Sequence, residues 1–180
     1  GNSVWSFAIG FGVLGWLLYF IGTFDLFAPP PLAGVLGAGG FGLYFLLSGG
    51  GGVSEGHARH QFTWIDGLII CTLAVVLAFD LMEAISPPAD ADTLAYHFAL
   101  PKQFIEQGGI KFVPRAADGA IPLLIQMTYV PALALGGEMA LTLWTTISGW
   151  GAAAMLFVFA RKDLDVTWSL ALDLLFLTTP

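Results

Sequence analysis

Ile65-Asp-Gly-Leu-Ile-Ile-Cys-Thr-Leu-Ala-Val-Val-Leu-Ala-Phe-Asp-Leu-Met-Glu-Ala84 carries ionisable residues only near its two ends. A hydrocarbon core about 30 Å thick is crossed by about 20 mostly apolar helical residues. Only a helix or a closed barrel satisfies every backbone polar group there. Trp64 leads into the stretch and Pro87-Pro88 follow it, an aromatic anchor and a helix stop. Read as a membrane-spanning helix, it decides the fold. Asp80 and Glu83, in its last turns, can reach the interface.

Working outward, similar runs lie on both sides. Val4 to Thr23 is apolar and ends before Asp25, while Pro31 to Leu47 follows Pro29-Pro30, which suits a helix start. Met139 to Ala160 is stopped by Arg161-Lys162-Asp163, and a further apolar run begins at Val166 and continues to Pro180. The expectation is an all-α polytopic transmembrane helix bundle, one membrane domain over residues 1–180. Its spans fall at about 4–23, 31–47, 65–84, 139–160 and 166–180, the last incomplete. The first run lacks a basic leader and cleavage site, so it reads as a span rather than a signal peptide.

Composition agrees. The chain is 57% hydrophobic and 11% charged, with mean hydropathy +0.80, where soluble domains are roughly 25% charged. A net charge of -7 argues against a nucleic-acid partner, which needs a basic footprint. The single cysteine, Cys71, excludes an intrachain disulfide.

Lys and Arg in short loops mark the cytoplasmic side. Arg59 lies between the second and third spans and Arg161-Lys162 between the fourth and fifth. Those loops share a side when residues 85–138 form a large loop on the other, which makes that loop extracytoplasmic and the N-terminus cytoplasmic. The expected location is a bacterial inner membrane.

Within that loop two interfacial helices are expected. Asp92 can N-cap a helix reaching Gln107, with Gly108-Gly109 as its stop and Pro101 as a kink. Leu94, His97, Phe98, Pro101 and Ile105 share one face at steps of three and four. A second stretch, Ile121 to Leu135, carries Pro122 and Pro131 and is too interrupted to span. Gly34, Ala38 and Gly42 form a small-xxx-small stripe on the second span, and Gly10, Gly12 and Gly15 lie on the first. Tight packing within one bundle is the first reading, packing against another subunit the second. Gly49 to Gly52 read as a linker or turn.

The ionisable residues concentrate in Asp90-Ala-Asp-Thr-Leu-Ala-Tyr-His-Phe-Ala-Leu-Pro-Lys102. The spacing Asp92-x-x-x-Tyr96-His97-x-x-x-Pro101-Lys102, then Gly108-Gly109-Ile110 and Ile121-Pro122, resembles the first extracytoplasmic loop of bacterial polytopic glycosyltransferases of the GT-C type. These are relatives of protein O-mannosyltransferases and aminoarabinose transferases. The resemblance covers about Pro87 to the C-terminus and implies a polyprenyl-phosphate sugar donor used on the extracytoplasmic side. Two positions depart from the pattern: Gln126 stands where a Glu is expected and Trp144 where a His is expected.

Transfer from a lipid-phosphate sugar needs a base for the acceptor's proton. The resemblance makes Asp92 that catalytic carboxylate, with Asp90 a second acid or a ligand of a divalent cation. The plainer reading is helix capping, for which one acid suffices. Two oxygen ligands alone hold a hard cation weakly, so the metal and any cofactor stay unassigned. Lys102, Lys111 and Arg115 suit a lipid phosphate, or else snorkel to headgroups. Tyr96 and His97 position acceptor or phosphate, or make structural hydrogen bonds. Glu55, His57, Arg59 and His60 read as a solvated loop, and no His falls inside a span, against a haem or pigment role. Asp173, two turns into the last span, must face the bundle or a partner.

Two functions follow. One is a glycosyltransferase-like integral membrane protein whose partners are membrane lipids and the polyprenyl-phosphate sugar. The other is a non-catalytic transmembrane subunit of a larger complex on a transferase-derived scaffold. The short fifth span, the Gln126 and Trp144 departures and the small-residue faces fit the second.

Overall fold

A computed structural model of the chain describes residues 2–48, 61–87, 97–112 and 124–179. The described residues form helices and no strand: α1 (Asn2–Thr23), α2 (Pro29–Ser48), α3 (Trp64–Ala84), α4 (Ala99–Glu106), α5 (Leu124–Met127), α6 (Tyr129–Ala160) and α7 (Val166–Thr178). Three are long and apolar enough to cross a membrane: α1 over Trp5–Thr23, α3 and α6. The chain is an all-helical membrane protein. The second expected span forms α2, with prolines in its first turn, where the missing N–H groups would have no helical acceptor. α7 has 13 residues, a rise of about 20 Å, short of the roughly 30 Å hydrocarbon thickness.

α3 begins one residue before its expected start. Thr63 caps it through a reciprocal pair: the Asp66 N–H donates to Thr63 Oγ1 (3.3 Å) and the Thr63 N–H donates to Asp66 Oδ2 (2.7 Å).

α6 consists of two helical stretches joined at Gly137, whose φ 72° and ψ -165° are not helical, and the expected start at Met139 falls just after that break. Before the break α6 begins at Tyr129, inside the expected Ile121 to Leu135 stretch. Pro131, expected to interrupt, lies in its first turn behind the N-cap Thr128. Pro101 likewise follows the N-cap Phe98 of α4, and the residues before His97 through which the expected helix from Asp92 would run lie outside the described residues. The expected stop of α4 is present. Gly108 adopts φ +74°, its N–H donates to Ile105 O (3.1 Å), and the Gly109 N–H donates to Phe104 O (2.9 Å). These are the paired bonds of a left-handed helix end. Asp92, the expected cap, lies outside the described residues.

The buried face at α4 carries Leu100 and Phe104 beside the expected Phe98 and Pro101, with Ile105 packed at its edge, and it turns into protein. Leu100 and Phe104 join Leu18, Phe27, Leu32, Met127 and Val130 in one buried cluster contributed by α1, the turn before α2, α2, α4, α5 and α6. The other group is α3, α6 and α7, in mutual contact. Side chains cross between these helices: Thr142 Oγ1 donates to Ala84 O (2.5 Å) and Thr167 Oγ1 to Asp66 Oδ1 (2.5 Å).

The two ends of the bundle are distinguishable. At one, the α1–α2 turn docks on the end of α4: the Phe27 N–H donates to Gly108 O (2.9 Å), the Ile110 N–H to Gly22 O (2.8 Å), and Lys111 Nζ meets Asp25 Oδ1 at 2.6 Å. At the other, Lys162 Nζ lies 4.8 Å from the Phe159 ring centroid and 5.7 Å from that of Trp5. The Asp25 turn and the region after α4 therefore share an end, the relation the Lys/Arg pattern requires.

The glycines divide by role. At Gly15 an added Cβ would lie 2.8 Å from Leu124 O, so α1 and α5 meet there backbone to backbone. At Gly34, Gly37, Gly39 and Gly40 a Cβ would meet no atom within 4 Å among the described residues. Gly34 thus makes no close contact with any described residue, so the described helices do not supply the tight packing expected at that position.

Candidate functional site

A cavity of about 650 Å³ opens where the C-terminal turns of α3 face α6 and the residues leading into α4. That volume is in the usual range of small-molecule sites. α3 supplies Asp80 and Glu83, α6 supplies Tyr129, Thr142, Thr145, Thr146 and Trp150, and His97 and Phe98 close one wall. The spacing of Asp80 and Glu83 (i, i+3) puts both carboxylates on one helical face.

Most hydroxyl and indole donors around the cavity are already engaged. Thr142 donates to Ala84 O, tying the end of α3 to α6. Thr145 and Thr146 donate to Thr142 O at 2.8 and 3.0 Å, Ser86 to Met82 O at 2.8 Å, and Trp150 Nε1 to Asp80 Oδ2 at 3.1 Å. The Trp150 bond fixes Asp80 across the α3–α6 gap. Buried polar groups are nearly always paired, and here pairing leaves a wall rich in acceptors.

His97 is held from behind. Gln126, in the single-turn α5, is 1% exposed, and its Nε2 lies 3.2 Å from His97 Nδ1. Trp144 Nε1 donates to Thr128 Oγ1 (3.1 Å), and the Trp144 ring stacks on Phe11 with centroids 6.0 Å apart. The two positions that depart from the resembled pattern thus anchor the same short segment, 126–128, against α4 and α6.

Of the other residues singled out in the sequence, Asp90, Asp92, Tyr96 and Arg115 lie outside the described residues, as do Glu55, His57, Arg59 and His60. Lys102 projects from α4, 3.9 Å from Glu138, with both side chains more than half exposed. Lys111 is bound to both carboxylate oxygens of Asp25 rather than placed in the cavity. Among the described residues no group of three His, Cys, Asp or Glu side chains could hold a metal ion. Asp173 does face the bundle: it is 9% exposed, and its Oδ1 has no hydrogen-bond partner among the described residues.

Sequence reasoning passed over Asp66, which is 0% exposed and accepts hydrogen bonds from Thr63 and Thr167. Its signal was legible as Thr63-x-x-Asp66 ahead of an apolar run. The Trp150–Asp80 contact, 70 residues apart in sequence, had no local signal. A second, apolar groove of about 360 Å³ runs between α1 and α2, bordered by Gly10, Gly39 and Trp144.

No protein family, curated protein or solved structure matches this chain.

Proposed function

We propose that the chain is a glycosyltransferase-like membrane protein, or part of one, which takes a polyprenyl-phosphate sugar on the extracytoplasmic face of a bacterial inner membrane. The observation that carries the reading is the cavity bordered by Asp80, Glu83, His97 and Tyr129. It adjoins His97, a residue of the motif that carries the resemblance. In this reading the Asp25 turn, the cavity and residues 85–138 face outward, the N-terminus is cytoplasmic, and α4 and α5 lie near the lipid headgroups. Asp92 takes the acceptor's proton, Asp90 assists it or shares a divalent cation with it, and Tyr96, His97, Lys102 and Arg115 hold the substrate.

The test is sugar transfer from a polyprenyl-phosphate donor by the complete gene product, its Asp92→Asn variant and its Asp90→Asn variant. Loss of a general base costs about 10²–10⁴-fold in rate. The expected result is activity in the wild type that falls by that factor in Asp92→Asn while expression is kept. Activity that survives Asp92→Asn refutes the assignment.

The second reading is a non-catalytic subunit packed against other membrane chains. The open glycine positions on α2, including Gly34, favour it, as does the neutral amide at Gln126. Absence of transfer by the wild-type gene product, with Gly34→Leu breaking assembly into a larger complex, would decide for it.

A further inference from the structure

The acids of the cavity wall lack a countercharge. Asp80 and Glu83 line the cavity, and no Lys or Arg lines it among the described residues. Lys102 lies 3.9 Å from Glu138 and Lys111 is bound to Asp25, so no described basic side chain pairs with either cavity carboxylate. α3, α6 and α7, which are in mutual contact, contain no Lys, Arg or His. Like charges three residues apart on a helix repel. Ionisable groups that face a cavity in a membrane bundle mark substrate or ion paths. The other lining groups have matching chemistry. Phe98, Tyr129 and Trp150 add aromatic surface, and the negative face of such a ring attracts a cation, that of Trp most strongly. Trp150 Nε1 donates to Asp80 Oδ2 (3.1 Å), which holds an indole and a carboxylate side by side. The hydroxyls of Thr145, Thr146 and Ser86 give their protons to backbone carbonyls, which leaves lone pairs for a ligand.

We propose that this cavity binds an organic cation, an ammonium group on a small apolar body. Asp80 and Glu83 supply the opposite charge, and Trp150, Tyr129 and Phe98 supply the contact surface. Carboxylates beside aromatic rings suit an ammonium because the rings attract it without the cost of stripping an acceptor from water. A metal ion fits less well. Hard cations take about six or more oxygen ligands, and no group of three His, Cys, Asp or Glu could hold one among the described residues. The same wall repels an anion. Within the transferase reading the cavity is therefore the acceptor's seat, and the donor's phosphate lies outside it, toward the exposed Lys102. That last assignment rests on the transferase reading. The preference for a cation does not.

The experiment compares two probes of one shape on the detergent-solubilised full chain. One is choline, and the other is its uncharged isostere, in which a tert-butyl group replaces the trimethylammonium. Ligand-observed NMR titration reads both affinities. Choline should bind between about twofold and thirtyfold more tightly than the isostere, the range of cation–aromatic contacts. In the double variant Asp80→Asn, Glu83→Gln that advantage should vanish while the isostere's affinity is unchanged. The Asn side chain keeps an oxygen that can accept from Trp150, so the double variant removes charge and retains shape. Equal affinities in the wild type, no choline binding, or a cation preference that survives the double variant overturns the proposal. The wild-type comparison decides the matter even if the double variant does not fold. Because no sugar transfer is measured, failure of the transferase reading and failure of this proposal are distinguishable.

Discussion

Asp66→Ala is the most informative single change outside the cavity, because one carboxylate serves two helices. Its Oδ2 accepts from the Thr63 N–H at 2.7 Å and the Thr63 hydroxyl at 2.8 Å, and its Oδ1 accepts from the Thr167 hydroxyl at 2.5 Å. The Thr63 bonds sit at an exposed helix start, where water can replace the lost acceptor, so they count as a helix cap worth about 1 kcal/mol. The Thr167 bond joins α3 to α7. Side-chain bonds between helices in membranes average about 0.6 kcal/mol and reach about 1.7. A short bond to a carboxylate belongs near the top of that range, at about 1.5 kcal/mol. Asp66→Ala should therefore cost about 2.5 kcal/mol, roughly seventyfold in the folding equilibrium. Thr167→Val, which removes only the cross-helix bond, should cost about 1.5 kcal/mol. The double variant should be no worse than Asp66→Ala, giving a coupling of about 1.5 kcal/mol. Reversible unfolding of detergent-purified protein in rising SDS would measure the cycle. A coupling within about 0.3 kcal/mol of zero would refute the claim that this carboxylate ties α7 to α3.

Three further outcomes are expected. Gly15→Leu should sharply lower the yield of monodisperse protein by driving a side chain into Leu124 O, whereas Gly34→Leu should leave that yield unchanged, since a Cβ there meets no described residue; size-exclusion profiles of the two variants compare them. Asp25→Asn should cost at most about 1 kcal/mol, and less at high salt, because its ion pair with Lys111 is about half exposed on both sides; unfolding at low and high salt tests this. Cysteines placed at Lys111 and Lys162 in a Cys71→Ala background should react with an impermeant thiol reagent from opposite sides of the membrane, and same-side labelling in intact cells would contradict the placement of the two bundle ends.

What the sequence disclosed and what it hid divide along physical lines. The start and end of α3 were legible within a residue because hydropathy, Trp64 and the following prolines all mark the same limits. The glycine stop of α4 was legible because Gly108 needs a left-handed backbone. The break in α6 at Gly137 lies beside the expected Met139 boundary, but the start at Tyr129 was not legible. Proline is disruptive inside a helix and harmless in its first turn, and which applies at Pro131 depends on where the N-cap falls. Thr128 caps without a side-chain bond, so it leaves no recognisable motif. The face of α4 was legible in part: Phe98 and Pro101 are buried as expected, and Leu100 and Phe104 join them because periodicity does not say how wide a face the core will take. His97 was legible as a candidate, but its partner Gln126 lies 29 residues away. The acidic wall requires α3 and α6 to be side by side, which no local pattern encodes.

The clamp between the α1–α2 turn and the end of α4 also bears on biogenesis. Asp25 leaves the ribosome 86 residues before its partner Lys111. At about 5–20 residues per second, the α1–α2 hairpin waits on the order of ten seconds for the segment that completes its turn. During that interval the Phe27 N–H lacks the Gly108 carbonyl that accepts from it in the finished fold. The turn must be served by water or lipid headgroups until translation reaches α4, so a turn made before α4 exists is finished only after it.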